Sequence, residues 1–210
     1  MGDLIYKRHS VRKFKNTDVP LEDIKKIIKD ATYAPSGKNL QNWHFIVVKN
    51  KKKIQEMSKI VEKKNEEMAS KLMDEEKKKS LTKYVKYHTV FKDAPVAILV
   101  YAGKYPSTGV DVLKEINASD EEIKELEKVS PGIQNISAAM ENLLLSAADL
   151  GYGTCWMTGP LYAAKEINEF LGFEKEGYFL AAITPLGVSD DSELKSPPRK
   201  PVDEVLTIIE

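Results

Sequence analysis

The chain has 210 residues, 42% of them hydrophobic, which suits one domain with a core that needs no disulfides. Its 32 basic and 32 acidic residues cancel, so no overall field draws it onto nucleic acid or an anionic membrane. A single cysteine, Cys155, excludes an internal disulfide and a zinc cluster, and neither an apolar leader nor a run of about 20 apolar residues stands in the sequence, which predicts a cytoplasmic protein without a metal site.

Only three of the basic residues are arginines, Arg8, Arg12 and Arg199, near the two ends. Lysine serves everywhere else. A planar, permanently charged fork holds an anion by two parallel hydrogen bonds, so a phosphate ester is the natural candidate at these positions. Around the first two the chain reads Arg8-His9-Ser10-Val11-Arg12, which adds a hydroxyl donor between the guanidinium groups.

Pro20 opens a segment whose Leu21, Ile24, Ile27, Ile28 and Ala31 recur at helical spacing, an amphipathic helix. It ends at Ala34-Pro35-Ser36-Gly37-Lys38-Asn39, where Pro and Gly break regular structure and short polar side chains could bind a ligand or simply close the helix. Trp43 to Val48 reads as a buried strand. Residues 50–87 are lysine-rich with an interrupted apolar stripe, fitting one or two surface helices; the runs Lys51–Lys53 and Lys77–Lys79 are bordered by acids and read as solvated faces.

Residues 95–101 form a second interior strand, and a helix starts near Ser119, where Glu122 completes a capping box. Between Ile133 and Leu150 apolar residues cover so much of the helix circumference that a buried helix is expected, in the core, at a subunit interface, or in both. Gly151 to Pro160 then reads as turn, short strand and turn, followed by a helix over 163–171 and a strand over 178–186. From Ser189 the chain resembles an extended arm. Its Val202, Val205, Leu206, Ile208 and Ile209 need burial somewhere, and a partner subunit is one place. Gly151-x-Gly153 follows a helix and precedes a strand, the reverse of a Rossmann phosphate loop, and no Walker loop is present.

Taken in order and spacing, Arg8-His9-Ser10-Val11-Arg12, Ala34-Pro35-Ser36, Gln41-Asn42-Trp43, the Gly-Tyr-Gly-Thr segment at 151–154 and Arg199 resemble the FMN-dependent nitroreductase family nearly end to end. The resemblance implies an α+β fold, a central mixed and mostly antiparallel sheet flanked by helices. It implies a single domain over 1–210 whose arm, 189–210, is exchanged in a homodimer. By resemblance Arg8, Ser10 and Arg199 hold the FMN phosphate, Arg12 lies near the pyrimidine edge of the flavin, and His9 either contacts the ribityl or pyrimidine side or makes a plain structural hydrogen bond. Pro35, Ser36 and Asn39 match a loop that reaches the flavin from the second subunit, with Lys38 near the substrate cavity and Gln41 as a further contact. The family commonly has proline where Asn42 stands, so the path of that loop is open. Met157, Thr158 and Gly159 match the segment along one side of the ring, meeting it through backbone N–H groups, with Gly159 permitting close approach. Cys155, Trp156, His44 and His88 are expected to be structural.

The implied activity is a ping-pong transfer of hydride from NAD(P)H through FMN to an electron-poor acceptor such as a nitroaromatic or quinone, with no dedicated catalytic side chain. Residues 104–130 would form the substrate lid. Two other readings stay open: a same-fold reductive dehalogenase or flavin-consuming relative, and a flavin-binding or sensory protein without nicotinamide chemistry.

Overall fold

The computed structural model describes residues 2–191 and 196–210; residues 192–195 of the expected arm lie outside the described residues. Four strands form one sheet in the order β1-β2-β4-β3, namely β1 (Trp43–Val48), β2 (Val96–Ala102), β3 (Gly153–Thr154) and β4 (Phe179–Gly187). Every ladder is antiparallel. Trp43 faces Ala102 and Val48 faces Ala97 across the first pair, and Val96 faces Leu186 across the second, with an irregularity at Val100/Tyr101.

β2 is buried along its whole length, because its sequence is apolar at every position and helices cover both sheet faces. Side chains on a strand alternate between faces. Val96, Ile98, Val100 and Ala102 therefore join one core with α2 (Leu21–Thr32) and α7 (Pro131–Asp149), while Ala97, Leu99 and Tyr101 join a second with α3 (Lys51–Ser70) and α8 (Ala164–Leu171). Each fully buried Ile or Leu in these layers contributes roughly 1.5–3 kcal/mol.

The lysine-rich region divides into α3 and α4 (Glu75–His88), started by Asn50 and Asp74, whose side chains accept from backbone N–H groups one turn in. The expected capping box at Ser119 and Glu122 opens α6 (Asp120–Glu127). Two helices had no sequence signal, α1 (Gly2–Lys7) and α5 (Thr108–Glu115). α7 buries Ile136, Ala139, Met140, Leu143, Leu144 and Ala147 in the core, whereas within the protomer Ile133 and Glu141 are exposed and Ala138 and Leu145 only partly covered. Among the described residues no helix is long and apolar enough to cross a membrane.

Candidate functional site

The sheet's β3 edge is extended by two pieces of chain. Beyond α1, the segment 8–12 runs parallel to β3: Ser10 bridges Thr154, and the Val11 N–H donates to the Thr154 carbonyl at 2.8 Å. Val11 points inward, its side chain lying where a Cβ on Gly153 would come within 2.5 Å, so Gly153 is required for this close approach. Alternation then turns Ser10 and Arg12 outward to solvent. An Arg12 Nη1 donates to the Ser10 carbonyl at 3.3 Å. Arg8 is held at 20% side-chain exposure with Nε 3.8 Å from the Glu141 carboxylate, an ion pair too long for a hydrogen bond.

The charges at this edge reach Cys155. Burial pushes its thiol up from the ordinary value, while Arg12, a hydrogen bond with Ser10 and Arg8 pull against that rise. The thiol is 6% exposed and packs as expected.

After β3 the chain stays beside β4 through Met157, whose N–H and carbonyl both pair with Ile183 at 2.9 Å. Cys155 and Met157 face the core, and Trp156 and Thr158 face outward. Trp156 is 37% exposed, so it is a surface shelf rather than a packing residue. Of the three backbone N–H groups expected to face a ligand, that of Met157 is engaged within the sheet. No protein acceptor among the described residues meets those of Thr158 and Gly159. At Gly159 the close neighbour is His88, since a Cβ there would stand 2.7 Å from Nε2 and nearer still to Cδ2. His88 Nδ1 pairs with the Tyr162 hydroxyl at 3.3 Å, which also accepts from Asn65, and burial lowers the imidazole below its ordinary pKa.

The 35–42 loop is held in a conformation few residues adopt. Lys38, Asn39 and Gln41 have φ of 58°, 51° and 46°, left-handed values that cost a non-glycine residue about 1–3 kcal/mol each. Internal bonds support it: the Gln41 N–H donates to Ser36 Oγ at 3.2 Å and the Gln41 amide to Asn39 Oδ1 at 3.1 Å. Pro35, Asn39 and Gln41 are exposed and Ser36 partly so, whereas the Lys38 ammonium donates to the Pro106 carbonyl at 2.9 Å and to Thr108 Oγ1 at 3.0 Å. Asn42, where the family's proline was missed, is buried and bonded to Asn135 at 2.8 Å. Asn135 had no functional signal; the clue was an amide inside an otherwise apolar helical run.

The arm's start returns to the first motif, with Ser196 Oγ 2.9 Å from His9 Nδ1. Arg199 donates to the carbonyl of its neighbour Pro197 at 3.3 Å, and no bond among the described residues joins it to Arg8. Val202, Val205, Leu206, Ile208 and Ile209 stand exposed, the last at 92%. Residues 103–107 wall a cavity of about 520 Å³ with Val110, Leu126, Ile133 and Phe179.

A model of the nitroreductase family matches residues 5–188. Among solved structures, the chain is similar to a BluB-like flavoprotein from Clostridium difficile 630, with 45% identity, a TM-score of 0.94, and 100% of this chain and 98% of that one covered. It is similar to a nitroreductase with bound FMN from Desulfitobacterium hafniense DCB-2 at 25% identity and a TM-score of 0.71, over 99% of this chain and 97% of that one. Among curated relatives, a protein of Archaeoglobus fulgidus named by inference as NADH dehydrogenase/NAD(P)H nitroreductase is 28% identical, covering 90% of this chain and 86% of its own. An iodotyrosine deiodinase of Thermotoga neapolitana is 27% identical, covering 93% of this chain and 91% of its own.

Proposed function

The chain belongs to the nitroreductase family, and on that premise we propose that it is an FMN-dependent oxidoreductase taking hydride from NAD(P)H and reducing an electron-poor small molecule such as a nitroaromatic or quinone. The observation that carries this reading is the sheet edge, where Ser10 and Arg12 turn outward beside Thr154 and, next along the chain, Trp156 turns outward and the N–H groups of Thr158 and Gly159 meet no acceptor among the described residues. That donor set fits a phosphate ester joined to a flat, carbonyl-bearing ring. The Arg8 guanidinium and the Ser10 hydroxyl suit the phosphate, and the Arg12 guanidinium with backbone donors beside an indole suits the ring. FMN, when bound, supplies the redox chemistry, accepting hydride from the nicotinamide and delivering it to the acceptor.

The residues of the chain hold and tune. Arg8 and Ser10 bind the phosphate, with Arg199 as a further cation, and Arg12 places fixed positive charge beside the ring, favouring its reduced anionic form. His9, its ring oriented by Ser196, contacts the cofactor's polyol side. Pro35, Ser36, Asn39 and Gln41 form the loop that meets the cofactor of a second copy. The chain works as one domain, residues 1–210, in a cytoplasmic homodimer, and the exposed aliphatic groups of 202–209 supply the apolar surface that such an exchange buries.

The deiodinase similarity favours one second reading, reductive dehalogenation of an aromatic amino acid at the same site. Two measurements separate the readings. Anaerobic NADH or NADPH added to the FMN-loaded protein should bleach the flavin, and a flavin that stays oxidised refutes the oxidoreductase. Steady-state turnover of a nitroaromatic should exceed that of a halotyrosine, and the reverse order favours dehalogenation.

A further inference from the structure

Three segments distant in sequence meet at one buried pair of amides. Asn135, on α7, accepts from the Gly37 N–H at 3.0 Å and donates to Asn42 Oδ1 at 2.8 Å. The Asn42 side-chain amide donates to the Gly103 carbonyl at 2.9 Å and more weakly to that of Gly132 at 3.4 Å, while the Asn42 backbone carbonyl accepts from the Gly103 N–H at 2.7 Å. Both side chains are buried, 4% and 6% exposed, so neither can trade a lost bond for water.

Tyr105 is gripped beside this pair. A Cβ on Gly37 would lie 2.6 Å from its hydroxyl, and one on Gly132 would lie 2.9 Å from its Cβ, so glycine at both places makes room for one tyrosine. Lys38 closes the arrangement from outside. Its ammonium bonds Pro106 and Thr108 and stands 5.5 Å from the Tyr105 ring centroid, within cation–π range. The left-handed backbone at Lys38, Asn39 and Gln41 persists because these bonds over-determine it. The far side of the clamped segment, residues 103–107, walls the cavity of about 520 Å³.

We infer that Asn42, Asn135 and Lys38 are positioning residues that join the 35–42 loop and the 103–108 wall into one mechanical piece, so that the substrate cavity keeps a fixed place relative to the cofactor. Lys38 acts as the bolt, through Pro106 and Thr108, and makes no contact with substrate. The cofactor-binding role of the loop and the substrate role of the cavity rest on the proposed function; the locking itself does not.

The test uses Lys38→Met, which keeps the aliphatic stem at an exposed position and removes the bonds. In the apoprotein, amide hydrogen exchange followed by mass spectrometry should accelerate about tenfold in both 36–42 and 103–116, as expected when bonds to a charged donor are lost, and stay unchanged in 96–102 and 136–149. Asn135→Ala should accelerate the same two segments; if that variant unfolds, Lys38→Met decides. In the flavin-loaded protein, Lys38→Met should raise KM for the acceptor several-fold with little change in kcat, and Lys38→Arg should recover part of the loss. Unchanged exchange, or acceleration confined to one segment, overturns the coupling. Accelerated exchange with an unaltered KM overturns the positioning role. A protein that fails to bind FMN would refute the proposed function and leave the exchange result standing.

Discussion

Replacing Arg8 by alanine is the sharpest perturbation of the proposed phosphate site, because this guanidinium is mostly covered and weakly partnered. Its side chain is 20% exposed, and its only ion pair among the described residues is the 3.8 Å approach to Glu141, itself 48% exposed. A half-exposed pair of that length is worth at most about 1 kcal/mol, so most of the charge remains available to a ligand. A hydrogen bond to a charged group contributes about 1.5–3 kcal/mol, and a loss of about 2 kcal/mol is roughly a 30-fold rise in Kd. Fluorescence titration of apoprotein with FMN reads this directly, and riboflavin, which lacks the phosphate, supplies the control. Arg8→Ala should weaken FMN about 30-fold and leave riboflavin almost unchanged, Arg8→Lys should fall between, and Glu141→Gln should tighten FMN slightly by removing the competing carboxylate. Equal weakening of the two flavins, or an FMN affinity within about threefold of the parent, would refute the phosphate assignment.

Gly159→Ala should destabilise the protein by about 1–3 kcal/mol, because its Cβ collides with a His88 ring held by Tyr162; thermal unfolding should show the cost shrinking in a His88→Ala background, and an additive pair refutes the collision. Tyr101 is fully buried, its hydroxyl donates to Asn168 at 2.7 Å, and burial pushes its pKa up to about 12. With the folded value above the ordinary 10.0, the neutral phenol's contribution is complete below pH 10 and is lost as pH rises toward 12. Tyr101→Phe should lower stability near neutrality by about 1 kcal/mol and flatten the alkaline decline, and denaturation curves across that window would expose an unchanged slope. Deleting residues 202–210 should shift the sedimentation coefficient from dimer to monomer, and a dimer that survives removes the arm from the interface.

The strands and the larger helices were legible because their signals are local. β2 is an unbroken apolar run, and α2 carries a single apolar stripe, so burial follows from composition and spacing alone. α5 was illegible for the opposite reason. Its eight residues include Gly109, a poor helix former, and the helix exists through the Ser107 cap and contact with Leu126 of α6, whose Cδ2 would stand 2.9 Å from a Cβ on Gly109. At the site, the alternation that turns Ser10 and Arg12 outward depends on a parallel bridge to Thr154, a partner 144 positions away that no local pattern reveals.

Lys38 shows the same limit from the side of chemistry. A lysine in a polar Pro-Ser-Gly-Lys-Asn loop reads as a hand extended to a ligand, yet its ammonium meets a carbonyl and a hydroxyl some 70 residues along the chain. Gly37 serves that meeting, since the space its missing side chain leaves is filled by Tyr105 from the same distant segment. Residue type thus announces what a group can bond, and the fold decides whether that capacity is turned outward to a ligand or inward to hold the wall beside it. Arg8 and Lys38 are both cations in loops, and they differ in the acceptors that long-range packing brings within 3 Å among the described residues: none for the first, two for the second. The weakly partnered fork at Arg8, not the abundance of basic residues, is what supports the proposal of an anion site at the sheet edge.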